Sequence, residues 1–243
     1  MKLSKDMRLS IIIPAYNEEK TIGIVLDKLK QLELVGVEKE IIVVDDGSKD
    51  KTSSVVKERQ KLDKNLQLIS QKPNQGKGVA VLTGIDRASG EILLIQDADL
   101  EYNPEDIPRL IKPILDKKAQ VVYGTRLRTK IKLFGKDKTP LPFHFVGNKF
   151  LSLTTTILYG ETISDMETGY KVFTRKSIEG IDFKSHAFDF EPEITAKILK
   201  KGIKILELDI KIIPRGYDEG KKIRPIKDGL IALWTLIKYR FVS

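Results

Sequence analysis

Cysteine is absent from this sequence, and histidine occurs only twice, at His144 and His186. Without cysteine there is no disulfide scaffold, no thiolate zinc site and no cysteine nucleophile. Two histidines are also too few for an imidazole-rich metal centre. Any chemistry must therefore come from carboxylates, from lysine and arginine side chains, and from the backbone.

Long apolar runs are also missing. The longest stretch without Lys, Arg, Asp or Glu covers residues 150–160, well short of the roughly 20 residues that cross a bilayer as a helix. The apolar run after the basic amino-terminal residues stops at Pro14, too early for the core of a signal peptide. The sequence therefore predicts a cytoplasmic protein that crosses no membrane.

Positive charge is in excess, because 43 Lys and Arg residues stand against 34 Asp and Glu residues and give a formal charge of +9. A surplus of this sign favours anionic partners such as phosphates, anionic lipid or nucleic acid. A solvated, lysine-rich surface explains the surplus equally well. A chain of 243 residues with 41% hydrophobic residues is long and apolar enough to fold as one globular domain.

Short runs of Ile, Val and Leu alternate with segments of helical length in the first half. Five such runs are typical of strands buried on both faces, at residues 9–13, 40–44, 66–70, 91–96 and 120–123. The first helical segment places Ile22, Val25, Leu26, Leu29 and Leu32 on one face. Because alternating strands and helices force parallel pairing, the pattern predicts an α/β fold with an open, mostly parallel, doubly wound sheet and helices on both faces.

The second half has a less regular pattern. It predicts an apolar segment at 141–159, a strand at 171–175, a helix at 192–201, a long strand at 203–213 and a closing amphipathic helix from about Ile226. The chain shows no internal repeat and no linker. We therefore expect a single domain over residues 1–243.

Polar clusters follow three of the predicted strands, where an open α/β sheet places its ligand site. They lie at residues 14–19, 44–48 and 97–101. The first also fits an ordinary helix start, and the second fits an Asp-Gly turn. In an extended segment residues i and i+2 point the same way, so Asp97, Asp99 and Glu101 can converge as oxygen ligands of Mg²⁺ or Mn²⁺.

Two nucleotide-binding motifs are excluded. The Gln-Gly-Lys-Gly run at 75–78 superficially suggests a phosphate loop, but it lacks the Gly-Lys-Ser/Thr triplet of a Walker motif. No G-x-G-x-x-G follows the first predicted strand either. The sequence thus predicts neither a P-loop NTPase nor a dinucleotide-binding protein.

Taken together, the motifs resemble those of family 2 glycosyltransferases. The similar segments are IIIPAYNE at 11–18, IVVDDGSKD at 42–50, NQGKG at 74–78, DADLE at 97–101 and GTR at 124–126. DMETGYK at 165–171 and R-x-Y-x-E-x-K at 215–221 look like the branch that makes polyprenyl phosphate sugars. The resemblance implies a GT-A-like (Rossmann-like) domain with a nucleotide-sugar-binding half at 9–125 and an acceptor half with amphipathic segments at 126–243.

The resemblance also implies roles for single residues. The donor-binding positions are Pro14, Tyr16, Glu18, Val44, Asp46, Lys77, Asp97, Ala98, Arg126, Arg215 and Lys221, of which the first five hold the nucleoside. The metal positions are Asp97, Asp99 and Glu101, and the catalytic positions are Asp99, Arg126, Asp165 and Glu167. Asp165 or Glu167 would orient the acceptor, or act as base for a hydroxyl acceptor. The alternative for them is a loop carboxylate paired with Lys171.

The implied reaction is an inverting transfer of mannose or glucose from a GDP- or UDP-sugar to dolichyl or another polyprenyl phosphate. The first alternative is a polysaccharide or other hydroxyl acceptor in cell-envelope biosynthesis. A nucleotidyltransferase and a non-catalytic nucleotide-sugar-binding module are the others. Nucleic acid is not an expected partner.

Many synthases of this branch carry transmembrane helices, which this sequence lacks. Two segments would then attach the protein peripherally to the cytoplasmic face of a membrane. They are residues 142–159 and a closing helix with an apolar face made of Ile226, Leu230, Leu233, Trp234, Ile237 and Phe241. The alternatives are that these segments pack internally or form a dimer contact, or that a membrane-spanning partner subunit brings the enzyme to its lipid.

Overall fold

The structure, a computed structural model, describes residues 7–126, 142–187, 189–212 and 225–242. Strands and helices alternate through most of it. In chain order the elements are β1 (Met7–Ala15), α1 (Ile22–Gln31), β2 (Val37–Asp45), α2 (Thr52–Gln60), β3 (Leu66–Ser70), α3 (Lys77–Arg87), β4 (Ile92–Ile95), α4 (Ile107–Leu115), β5 (Val121–Thr125), α5 (Pro142–Tyr159), β6 (Lys171–Thr174), α6 (Arg175–Ile178), α7 (Phe190–Lys200), β7 (Ile205–Asp209) and α8 (Pro225–Phe241).

The strands form one sheet of seven in the order β3-β2-β1-β4-β6-β5-β7. All neighbours pair in parallel except β6, which runs antiparallel to both β4 and β5. This confirms the predicted α/β fold with a mostly parallel sheet. The order of the strands reverses between β1 and β4, and the loops that follow these two strands therefore flank the place where such sheets bind ligands.

Two features of the second half differ from the expectation. Strand β6 inserts between β4 and β5, so the two halves of the chain share one sheet. The long strand predicted at 203–213 is only the five-residue β7, because its partner β5 offers five residues for pairing. Beyond it, Ile212 makes an isolated bridge to Tyr102.

Buried strand residues alternate between two apolar layers. Leu9, Ile11 and Ile13 face the layer that contains α1 and α4, whereas Ile12 faces the layer that contains α3 and α7. A third cluster lies under α5 and α8, which pack on each other and on α7. Among the described residues, no helix combines the length and the apolar character that crossing a membrane requires.

Candidate active site

The polar loops that follow β1 and β2 are joined by hydrogen bonds. The backbone N–H of Asn17 donates to Ser48 Oγ at 2.9 Å, and the backbone N–H of Lys49 donates to Asn17 Oδ1 at 2.8 Å. The N–H of Glu18 donates to Thr52 Oγ1 at 2.8 Å. The first two polar clusters of the sequence therefore form one surface at the carboxyl end of the sheet.

Asp46 connects this surface to the loop before α3. It is buried, and its two carboxylate oxygens accept the backbone N–H groups of Gln75 and Gly76, each at 2.8 Å. Its neighbour Asp45 accepts the N–H of Ser48 at 3.0 Å. The adjacent carboxylates are thus stabilised by donors of the protein itself, and a nucleoside contact by Asp46 stays a prediction.

Lys77 is the first residue of α3 and lies between two carboxylates. Its Nζ is 2.9 Å from Asp97 Oδ1 and 2.9 Å from Glu191 Oε1. Burial alone would lower the pKa of Lys77, but the charges of Asp97 and Glu191 outweigh it and hold that pKa well above its usual value. Lys77 is therefore a fixed positive charge in the centre of the predicted donor site.

Glycines allow this loop to approach its neighbours closely. A Cβ at Gly76, whose φ is +101°, would lie 2.3 Å from the carbonyl oxygen of His186. A Cβ at Gly78 would lie 3.0 Å from the carbonyl oxygen of Ala187. The Gly-Lys-Gly run therefore serves to place the Lys77 side chain, and its backbone wraps no phosphate as a Walker loop would.

The acidic run after β4 is not extended. The chain bends at residues 98–101, and the N–H of Glu101 donates to Asp99 Oδ1 at 3.1 Å. Within the described ranges no three His, Asp or Glu side chains are grouped to hold a metal ion. The expected convergence of Asp97, Asp99 and Glu101 was therefore wrong, because side chains at i and i+2 align only on extended backbone.

The donor set beyond β4 nevertheless fits a hard cation. Carboxylate oxygens are the ligands that Mg²⁺ and Mn²⁺ prefer, and Mg²⁺ commonly uses one or two of them together with phosphate and water. A Cβ at Gly169 would lie 2.3 Å from Asp97 Oδ2, so this glycine leaves space beside that oxygen. Metal binding by Asp97, Asp99 and Glu101 stays a prediction.

Arg126 and Asp165 form a buried bidentate ion pair. Arg126 Nε is 2.7 Å from Asp165 Oδ2, a guanidinium NH₂ group donates to Oδ1 at 2.8 Å, and the backbone N–H of Arg126 also donates to Oδ2 at 3.0 Å. The other NH₂ group donates to the Tyr102 hydroxyl at 3.1 Å. Asp165 is fully buried, and Glu207 accepts its N–H at 3.1 Å. Asp165 thus orients Arg126.

Lys171 is not the partner of Asp165. Its ammonium donates to the backbone carbonyls of Met166, at 3.0 Å, and Thr168. It also lies 4.5 Å from the centroid of the Tyr123 ring. The alternative that Asp165 simply pairs with Lys171 was therefore wrong.

Two buried carboxylates face this region with unsatisfied oxygens. Glu167 Oε1 and Glu191 Oε2 have no hydrogen-bond partner in the part of the chain that the structure describes. Burial, and then the charge of Glu191, raises the pKa of Glu167 well above its usual range. Burial likewise lowers the pKa of Lys171. The interior beyond β4, β5 and β6 is therefore a dense array of opposite charges.

Glu191 is the site residue that the motifs missed. It lies in the first turn of α7, whereas the sequence pattern placed the start of that helix at residue 192. The available signal was an acidic residue in a segment whose neighbours Phe190 and Ile194 are apolar and fully buried. A carboxylate there must be paired, because an unpaired buried charge is costly.

The other predicted positions lie around this centre or outside the description. Pro14, Tyr16 and Glu18 are half-buried along the loop after β1, and Val44 and Ala98 are buried. Arg215 and Lys221 lie outside the described residues.

Comparisons with known proteins agree with these features. A family model described as glycosyl transferase family 2 matches residues 10–181. A dolichyl-phosphate beta-glucosyltransferase of Trichomonas vaginalis is 35% identical over 219 residues, which cover 84% of this chain and 65% of that protein. A UDP-N-acetylglucosamine–dolichyl-phosphate N-acetylglucosaminyltransferase of Methanococcus voltae is 32% identical over 230 residues, which cover 87% of this chain and 88% of that protein.

A solved structure has the same fold. Glucosyl-3-phosphoglycerate synthase from Mycobacterium tuberculosis, crystallised with Mn²⁺, uridine diphosphate and glucosyl-3-phosphoglycerate, matches with a TM-score of 0.68 at 20% identity. The match covers 98% of this chain and 81% of that one. It confirms the predicted GT-A-like architecture. Since the family model covers well over half of the sequence, the chain belongs to glycosyl transferase family 2.

Proposed function

We propose that this glycosyltransferase moves mannose or glucose from a GDP- or UDP-sugar to dolichyl or another polyprenyl phosphate at the cytoplasmic face of a membrane. An oxygen of the acceptor phosphate attacks the anomeric carbon while the bond from that carbon to the diphosphate breaks, so the configuration inverts and a nucleoside diphosphate leaves. Two relatives whose names include dolichyl phosphate match 84% and 87% of this chain, which supports the choice of acceptor.

The observation that carries the proposal is the ion pair between Arg126 and Asp165. A hydroxyl acceptor needs a carboxylate that can take its proton. Asp165 is poorly suited to that role, because it is fully buried and both of its oxygens already accept hydrogen bonds from Arg126. A phosphate acceptor is an anion near neutral pH and needs no such base. Fixed in this way, the Arg126 guanidinium can attract the acceptor phosphate or the leaving diphosphate.

Glu167 is also better suited to a neutral form than to a base. Its Oε1 is buried without a partner, and burial raises its pKa. A carboxyl group that stays protonated near neutral pH donates a hydrogen bond and does not remove a proton. This property again favours an acceptor that arrives deprotonated.

Lys77 and the acidic run after β4 would hold the diphosphate of the donor. Asp97 and Asp99 are the residues that we propose to bind Mg²⁺ or Mn²⁺, and Glu101 is the third candidate. When bound, the cation would neutralise charge on the leaving diphosphate. Lys77, already 2.9 Å from Asp97, supplies a second positive charge at the same place. Two anions must approach each other in this reaction, so several cations are needed.

Product analysis tests the proposal. The purified protein is incubated with polyprenyl phosphate and, in turn, with labelled GDP-mannose, UDP-glucose and UDP-N-acetylglucosamine in the presence of Mn²⁺. We expect label from one donor in the organic phase and release of its nucleoside diphosphate. Asp99→Asn should abolish transfer, whereas the matched control Asp182→Asn, whose side chain is 81% exposed, should not.

Three outcomes would contradict the proposal. Label that appears in polyprenol or in a soluble glycan would mean a hydroxyl acceptor. Release of pyrophosphate would mean nucleotidyl transfer. Binding of donor without any transfer to polyprenyl phosphate would favour a non-catalytic module.

A further inference from the structure

Two helices at the outside of the molecule expose rows of large apolar side chains. On α5 the row is Val146, Phe150, Leu153 and Ile157, and on α8 it is Ile226, Leu230, Trp234 and Phe241. Each of these eight side chains is at least 56% exposed. Their spacing along each helix keeps each row on one side. We call the two rows together the apolar face.

The two rows lie side by side. The Tyr159 hydroxyl at the end of α5 donates to the carbonyl oxygen of Leu236 in α8 at 2.7 Å. The opposite sides of both helices are buried against α7, in a cluster that includes Leu151, Ala232 and Leu236. The interior is therefore satisfied without the apolar face. An exposed patch of this size marks an interaction surface in a protein.

The hydroxyl groups of α5 do not need water. Thr154, Thr155 and Thr156 donate to the backbone carbonyls four residues earlier, at 3.0, 2.8 and 3.0 Å. A helix surface that enters an apolar phase must satisfy its polar groups internally in this way. The polar side chains among the apolar rows are thus compatible with burial in lipid.

The charges around the apolar face are positive. Helices α5 and α8 carry Lys149, Lys227, Lys238 and Arg240 against the single acid Asp228. The sequence directly before α5, residues 127–141, has five Lys or Arg residues and one Asp. Residues 213–224, directly before α8, have four Lys or Arg residues and two acids. This charge complements anionic headgroups, whereas a second copy of the chain on the same face would bring like charges together.

The apolar face is coupled to the active site through α5. Ser152 Oγ accepts the N–H of Met166 at 3.2 Å, and Thr156 Oγ1 accepts the N–H of Ile163 at 3.3 Å. The inner side of α5 therefore holds the loop that carries Asp165 and its partner Arg126. A helix is about 10–12 Å in diameter, so this ion pair lies about one helix diameter behind the exposed row.

We infer that the apolar face docks on an anionic lipid bilayer, with α5 and α8 lying in the interface and their rows in contact with the acyl chains. This inference rests on the proposed function in that the docked protein presents Arg126 to a phosphate at headgroup depth. The face itself follows from exposure, internal hydrogen bonding and charge.

The sole tryptophan of the chain, Trp234, lies in the face and reports on docking directly. Vesicles of phosphatidylcholine with phosphatidylglycerol should shift its emission to shorter wavelength, and lipids with quenching groups on the acyl chains should quench it. The same vesicles should co-sediment the protein. Salt and omission of phosphatidylglycerol should weaken both effects, because attraction to headgroups is screened.

The double variant Phe150→Glu with Leu230→Glu keeps the tryptophan and should weaken vesicle binding by about tenfold or more, since partitioning follows buried apolar area. The matched control is Val35→Glu, an apolar residue that is 99% exposed outside the face. It should bind like the unmodified protein. Thermal unfolding checks that the variants are folded, and if the double variant is not, the fluorescence of the unmodified protein decides.

An unchanged Trp234 spectrum with anionic vesicles at low salt would overturn the inference. Concentration-dependent dimers that the double variant abolishes would show that a second copy covers the face instead. A short, water-soluble polyprenyl phosphate separates this result from the proposed function. The double variant should still glycosylate it, whereas a protein that binds vesicles but never uses it would contradict only the proposed function.

Discussion

Replacing Asp165 by Asn would test the buried ion pair at the centre of the site. Asp165 is fully buried and holds the guanidinium of Arg126 with contacts of 2.7 and 2.8 Å, while the Arg126 side chain is only 16% exposed. Asn has nearly the same shape but no charge, and one of its two terminal atoms donates where Asp165 accepts. The change therefore leaves Arg126 with a buried charge that has lost its counterion.

The expected loss of stability follows from that charge. Removing one partner of a buried pair costs about 3–5 kcal/mol, because the other charge stays buried. The amide oxygen of Asn still accepts one hydrogen bond and Arg126 is slightly exposed, so we expect a loss near the lower end, about 3 kcal/mol. In a domain of this size each kcal/mol lowers the unfolding midpoint by about 2–4 °C, which gives about 6–12 °C.

Thermal unfolding of matched variants measures this loss. The control is Glu38→Gln, which breaks the pair of Glu38 with Arg8, whose side chains are 58% and 45% exposed. Exposed pairs contribute about 0–1 kcal/mol, so this control should unfold close to the unmodified protein. Arg126→Gln combined with Asp165→Asn should recover part of the loss, since no unpaired charge then remains.

Two results would refute the reasoning. If Asp165→Asn unfolds within about 1 kcal/mol of Glu38→Gln, the pair is not a buried electrostatic contact. If the losses of the two single changes simply add in the double variant, Arg126 and Asp165 are not coupled. A pH–rate profile adds a functional test, because an acidic limb that Asp165→Asn removes would identify Asp165 as a base.

Three further measurements test other parts of the structure. Gly76→Ala should destabilise the protein by about 1–3 kcal/mol more than Gly36→Ala, because both positions have positive φ but only the first Cβ meets a carbonyl oxygen, at 2.3 Å; equal losses in urea unfolding would exclude that clash. Burial raises the pKa of Glu40, but hydrogen bonds from Ser10 and Ser89 outweigh it and lower that pKa below the ordinary 4.5. The unfolding free energy that Glu40 contributes is therefore present above pH 4.5 and lost as the pH falls through the lowered value, so the advantage over Glu40→Gln should shrink in acid, and a constant difference would contradict the shift. UDP or GDP should raise the unfolding temperature much more with Mn²⁺ than with EDTA, and Asp99→Asn should remove that difference; equal stabilisation in both would exclude a metal under the diphosphate.

The parallel part of the fold was predictable because it depends on local patterns. Runs such as residues 40–44 are apolar at every position, as strands buried on both faces must be. The position of β6 was not predictable in this way, because a four-residue strand looks the same whether it pairs in parallel or antiparallel. Its place between β4 and β5 depends on contacts with residues far away in the sequence.

The site shows the same division between residue types and their partners. Spacing after the strands brought Lys77, Asp97 and Asp165 to notice, yet it did not give the pairs that they make. Asp165 lies six residues before Lys171 but binds Arg126, which is 39 positions away in the chain. Glu191 was missed altogether, because its importance comes from the contact with Lys77 that the folded chain creates.

The closing helix shows why amphipathic patterns alone cannot locate an interaction surface. The pattern assigned Leu233 and Trp234 to one apolar face, but in the structure Leu233 packs against the buried cluster and Trp234 is 66% exposed. A helix that is apolar over most of its circumference has more hydrophobic surface than one neighbour can cover. Only the position of α7 decides which part is buried, and the part left over, aligned with the exposed row of α5, is what the bilayer experiments examine.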